Sequence, residues 1–147
     1  MDIIRVQDRA IEMGEALEAI QDPAVGGQAL FLGTVRNHFE GRPSWGLFYE
    51  AYQELAEAEM AAIAAELKAE FGVSHVVMVH RVGELALGES AVLVAVSSAH
   101  REEALKACQA GIDRIKARVP IWKKERWADG ATDWHDDPDA SSGETPL

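Results

Sequence analysis

The sequence predicts an α/β fold, built as α+β layers in a single domain, and three observations carry that prediction. Short apolar runs with strand character alternate with two long segments of helical period. Glycine and proline punctuate each change of pattern. No linker, repeat or low-complexity stretch divides the 147 residues, a common single-domain length.

In chain order, Ile3, Ile4 and Val6 suggest a first strand. Residues after Asp8 read as helix, with Ile11, Leu17 and Ile20 apolar, stopping before Pro23 and Gly26-Gly27. Gln28 to Val35 (QALFLGTV) reads as a buried strand and Asn37 to Ser44 (NHFEGRPS) as a polar loop. Trp45 to Tyr52 (WGLFYEAY) is aromatic and β-prone. Glu54 to Phe71 is rich in Ala and Glu, places Met60, Ile63 and Leu67 at helical spacing, and meets Gly72 as its stop. Val73 to Val82 is a strand, Gly83-Glu84 and Gly88-Glu89 mark turns, and Ala91 to Ser97 (AVLVAVS) is apolar enough for a central strand. Arg101 to Val119 is a helix with Leu105, Cys108, Ile112, Ile115 and Val119 as its apolar stripe, and Pro120 ends it. Ile121 to Trp127 (IWKKERW) is a short aromatic-basic segment. From Ala128 onward there are six acids and no Lys or Arg, which predicts mobility. The domain is taken as residues 1–134 and an acidic tail as residues 135–147.

Composition excludes several function classes. The formal net charge of −11 argues against nucleic-acid binding, which needs a basic field. No apolar run is long enough for a membrane span, and acids interrupt the N-terminal segment, so no signal peptide is expected. One cysteine allows no internal disulfide, and a reducing cytoplasm is the expected setting. The five histidines show no metal-ligand spacing, so neither metal nor cofactor is expected. Against this acidity, eight of the fourteen basic residues fall between Arg101 and Arg126. Such a run is commonly a solvated helix face; its functional reading is a local pocket for an anionic substrate.

Candidate residues lie in that run and at strand ends. Lys116 falls at the edge of the apolar stripe, one turn from Ile112. A snorkelling lysine is the commoner meaning of such a position; a partly desolvated amine, usable as base or nucleophile, is the functional one. In an extended IWKKERW, Lys123 and Glu125 share one face and Lys124 takes the other. Either a charge-protected edge strand or a lysine pressed into a cleft fits that spacing. His100 and Arg101 stand where a strand passes into a helix, a position suited to anions, although a histidine there can equally cap local structure. Arg36 closes a strand before a polar loop, where a guanidinium fork suits phosphate, or is a plain surface arginine. Cys108, inside the stripe, reads as a core thiol.

Five segments together resemble the large, catalytic subunit family of molybdopterin synthase. They are FLGTVRNH (Phe31 to His38), FYEAY (Phe48 to Tyr52), HRVGELALGE (His80 to Glu89), VSSAHR (Val96 to Arg101) and KARVPIWKKE (Lys116 to Glu125). The resemblance runs from about Gln28 to Glu125 and implies an α/β hammerhead-type fold. It implies a homodimer core of a heterotetramer, flanked by a small ubiquitin-like sulfur-carrier subunit ending in a Gly-Gly thiocarboxylate. The implied reaction is a sulfur transfer to cyclic pyranopterin monophosphate, two rounds of which build the dithiolene of molybdopterin. By motif, Lys116 and Lys123 match the catalytic lysines. Thr34, Val35, Arg36, His100, Arg101, Lys116, Lys123, Lys124 and Glu125 match substrate-binding positions. The loop 37–44, the acidic tail, and Leu105 where an aromatic residue is frequent depart from the pattern. Two other classes compete: a non-catalytic anion-binding dimer, and an adaptor acting through its acidic tail.

Overall fold

A computed structural model describes residues 1–135; the expected tail beyond them lies outside the described residues. The strands are β1 (Ile3–Gln7), β2 (Gly27–Thr34), β3 (His38–Phe39), β4 (Arg42–Ala51), β5 (His75–Arg81), β6 (Gly83–Ala86), β7 (Ser90–Ser98), β8 (Ile121–Trp127) and β9 (Thr132–His135). The helices are α1 (Met13–Ala19), α2 (Gln53–Phe71) and α3 (Arg101–Arg118). The expected mixed α/β architecture is the one found.

Four strands form the first sheet in the order β1-β5-β7-β2. β1 runs parallel to β5, and the other neighbours are antiparallel. β7 is central, as its apolar run predicts, and every one of its residues after Ser90 is buried. Alternate side chains serve two cores, because successive residues of a strand face opposite sides. Val92, Val94 and Val96 face α2 and α3, meeting Met60, Ile63, Leu67, Ile112 and Ile115. Leu93 and Ala95 face α1, with Ala16, Ala19 and Ile20. The second sheet has the order β3-β4-β8-β9, with β6 also on β4.

Several expectations change, among them Leu105 of the expected apolar stripe, which is exposed, and the expected turn at Gly83-Glu84, which begins β6. The first helix begins at Met13 rather than near Asp8, because the Gln7 amide donates to the carbonyls of Arg9 and Ala10 (3.0 Å each), holding that stretch in a turn. β2 is an outer strand, and Phe31 is 37% exposed, so the strand read as buried is covered on one side only. The 37–44 loop is a hairpin: His38 pairs with Pro43 and Phe39 with Arg42, across Glu40 and Gly41, both at positive φ (51° and 81°) as a tight two-residue hairpin turn requires. The acidic stretch from Ala128, expected to be mobile, turns and returns as β9 along β8 as far as His135.

The acids of α2 absorb part of the basic stretch. Arg118 donates to Glu59 and Glu66 (2.7 and 2.8 Å) and Arg114 to Glu66 and Glu70 (2.9 and 2.6 Å), lacing the two helices together. The hydrogen bond from Arg118, then the charges of Arg118 and Arg114, hold the Glu66 carboxyl below its ordinary value. A carboxyl depressed in the folded state adds stability above its unfolded value and loses it as pH falls through the folded one. Arg118→Ala is therefore expected to lower the thermal midpoint at neutral pH. The gap to the unsubstituted protein should narrow toward about pH 3, where glutamates protonate. Melts followed by circular dichroism at both pH values check this; a gap independent of pH would assign the loss to packing alone.

Candidate functional site

Pro120 stops α3, and the chain turns directly into β8, whose residues alternate strictly between buried and more exposed. Period-two geometry sends Ile121, Lys123, Glu125 and Trp127 inward and Trp122, Lys124 and Arg126 outward. Lys123 (7% exposed) and Glu125 (3%) are thus charged side chains inside the protein. They face a cleft of about 330 Å³ at the junction of the two sheets.

Several other elements complete the cleft, β7 through Ala91 and Val92 among them. Lys116, half-buried near the C-terminal end of α3, lines it beside the β8 pair. The end of β2 and the residues after it bring Thr34 and Arg36. The β3–β4 hairpin supplies His38 and Phe39, and β4 supplies Leu47 and Tyr49. Tyr49 pairs with Lys123 across the β4–β8 ladder. The Lys123 ammonium lies 5.6 Å from the centre of the Phe39 ring, within cation–π reach. Ser44 donates a hydrogen bond to Glu125 Oε2. An apolar wall with inward cations and a carboxylate suits a small anionic ligand whose reaction needs protons moved.

The nine sequence-derived positions separate into four groups. Thr34, Arg36, Lys116, Lys123 and Glu125 share the cleft. Val35 is buried beside it, its N–H donating to Glu89 and its carbonyl accepting from Gly88 (3.0 and 2.8 Å), so it shapes the wall through its backbone. Lys124 points to the other face of β8, its ammonium 5.4 Å from the Trp134 ring centre. His100 and Arg101 are exposed at the opposite end of α3, about 22 Å along the helix axis from Lys116 at 1.5 Å per residue. His100 occupies the N-cap position without a side-chain cap.

The eight-residue basic cluster is thus not one pocket. Arg114 and Arg118 bind α2, Lys106 pairs with Glu102 (2.9 Å) and Arg126 with Glu84 (3.3 Å). Sequence reading missed Phe39, Tyr49 and Ser44. Tyr49 could have been found from its two-residue spacing to Leu47 on an aromatic strand. Ser44 carried no signal, since its direction depends on a bulge.

Cys108 lies in the core with its thiol 3.7 Å from the Val94 carbonyl, and burial pushes that thiol up to about 11. No group of three or more His, Cys, Asp or Glu placed to hold a metal occurs among the described residues. No helix among them is long and apolar enough to cross a membrane.

Comparison with known proteins adds an independent line. Residues 6–118 match the family model described as "MoaE protein". The molybdopterin synthase catalytic subunit of Bos taurus is 40% identical over 133 residues, covering 90% of this chain and 70% of that one. That of Thermoplasma volcanium is 37% identical over 132 residues, covering 90% and 96%. The crystal structure of molybdopterin synthase from Staphylococcus aureus superposes with a TM-score of 0.85 at 37% identity, covering 90% of this chain and 96% of that one.

The burial of Cys108 sets a measurable expectation. At pH 7 a disulfide reagent should label the native thiol far more slowly than the urea-unfolded one, because only the thiolate reacts and burial suppresses both ionisation and access. Equal rates in the two states would place the thiol in a reactive, open environment.

Proposed function

The chain belongs to the MoaE protein family, and on that premise we propose that it is the catalytic subunit of a molybdopterin synthase. It takes sulfur from the C-terminal thiocarboxylate of a small ubiquitin-like carrier and places it on cyclic pyranopterin monophosphate. In each transfer a pterin side-chain carbon exchanges a bond to oxygen for a bond to sulfur: the carrier's acyl C–S bond breaks, the displaced oxygen leaves protonated, and water restores the carrier's carboxylate. The observation that carries the reading is the meeting of Lys116 from α3 and Lys123 from β8 in one cleft with Arg36. Arg36 suits the substrate phosphate by its planar fork. The two ammonium groups suit a reaction that develops negative charge on a thioacyl oxygen and needs protons shuttled. The sulfur comes from the partner, because the thiol of Cys108 is buried. The cytoplasm, reducing enough to keep a thiocarboxylate intact, is the compartment this reading expects.

His100 and Arg101 enter through a second copy of the chain. One subunit holds them too far from Lys116 to share its substrate; in the proposed homodimer one copy's α3 start completes the other's cleft. The outer strand β2 runs between the two regions: its Gly27 packs on Arg101, and its far end opens into the cleft. That dimer is the proposed core of a heterotetramer with two carriers.

Two experiments test this. In single-turnover sulfur transfer with saturating thiocarboxylated carrier, Lys116→Ala and Lys123→Ala should abolish or strongly impair product, and Lys124→Ala should be affected less. Lys116→Arg should rescue poorly, since a guanidinium stays protonated at neutral pH. A near-normal rate for Lys116→Arg would reduce Lys116 to a positive charge. Cys108→Ala should keep turnover at a packing cost of about 1 kcal/mol. Secondly, inactive Lys116→Ala and inactive His100→Ala chains, unfolded together and refolded to mixed dimers, should recover about a quarter of normal activity, because half the dimers are hybrids with one intact site. No recovery would place each site within one chain.

A further inference from the structure

We propose that Ser44 is a positioning residue for the sulfur-transfer site: through a bulge in β4 it holds the buried Glu125 carboxylate in place beside Lys123. The inference rests on the functional reading above and adds a residue to it.

Strict alternation along β4 would not put Ser44 there. Leu47 and Tyr49 face inward, so unbroken period two would turn Trp45 inward and Ser44 outward. The β4–β8 register slips between Ser44 and Gly46: Ser44 stands opposite Trp127 and Gly46 opposite Arg126, leaving Trp45 as the extra residue. One inserted residue reverses the parity of everything before it. Trp45 is consequently 61% exposed and Ser44 only 2%. Gly46 makes the slip possible. Its φ is +150°, and a Cβ there would stand 2.5 Å from the Leu85 carbonyl oxygen of β6.

The bulge aims the hydroxyl. Gly46 N–H donates to Ser44 Oγ (3.2 Å), and Ser44 in turn donates to Glu125 Oε2. A hydroxyl that accepts one hydrogen bond while donating another is polarised toward the acceptor, which strengthens its bond to a carboxylate. Glu125 is 3% exposed and stands on the same face of β8 as Lys123, and Lys116 lines the same cleft. A carboxylate so deeply buried needs fixed donors, and its position decides where the neighbouring ammonium groups sit. Ser44 therefore contributes to turnover through Glu125 and touches no reacting atom.

A double-mutant cycle tests the assignment, using single-turnover sulfur transfer from a Gly-Gly-thiocarboxylated carrier to cyclic pyranopterin monophosphate. Ser44→Ala should slow the transfer step about tenfold, the usual loss for a hydrogen bond to a charged group, while half-saturation by the pterin stays within about twofold. In a Glu125→Gln background the same substitution should change the rate by less than about twofold, because the group it acts through is already altered. Ser44→Thr, which restores a hydroxyl, should recover most of the rate. Should Ser44→Ala fail to fold, Ser44→Cys, of similar size but a weaker donor, runs the same cycle. Equal losses in the two backgrounds, or a loss confined to half-saturation or thermal stability, overturn the assignment and leave the functional reading standing. No transfer by the unsubstituted protein overturns the functional reading, and this assignment with it.

Discussion

Lys123 and Glu125 leave β8 on the same side, and both are more than nine-tenths buried. Charges taken out of water are tolerated only where fixed partners replace the lost hydration. Much of the second sheet can be understood from that requirement. β4 pairs with β8 along seven positions and carries the bulge that turns Ser44 onto Glu125. β6 lies on the other side of β4, close enough that only glycine fits at position 46. The β3–β4 hairpin sets Phe39 against the Lys123 ammonium.

The first sheet has a different task, which is to hold α3 still. Cys108, Ile112 and Ile115 seat the helix on β7 and β2, and the arginines on its far flank bind the α2 glutamates. Gly111 allows the close approach, since a Cβ there would stand 3.1 Å from Val94 and 3.2 Å from Leu67. With α3 fixed on two sides, its last turn has one direction left in which to present Lys116. Lys116, which lines the cleft, is thereby separated from the arginines that bind α2, although all lie within one short stretch of sequence.

The same geometry gives the acidic composition a physical meaning. Net charge describes the surface field, whereas the cleft is decided by the few charges that face it. Arg36, Lys116 and Lys123 line a concave, partly apolar cleft in a protein otherwise rich in Asp and Glu. An anion-binding dimer without catalysis would also use the arginines, but it gives no reason to bury a lysine–glutamate pair against the cleft. The adaptor reading rested on the acidic tail, of which only His135, the last residue of β9, is among the described residues.

By itself the sequence determined the parts set by local physical chemistry. Strand and helix periods, Pro120 as the end of α3, Gly72 in the left-handed conformation at the end of α2, and the two faces of IWKKERW all follow from residues within one or two turns of each other. The family was legible as well, because its motifs are contiguous and their order is specific. Tertiary structure alone decided which of eight clustered cations reach the cleft, since that depends on which face of α3 the α2 glutamates occupy. It decided that His100 and Arg101 stand a helix length away from Lys116, a separation that motif proximity conceals. It decided the direction of Ser44, because a single bulged residue inverts the facing of a strand while leaving its composition unchanged. These outcomes rest on pairing between segments tens of residues apart, and no local propensity encodes the register of such a pairing.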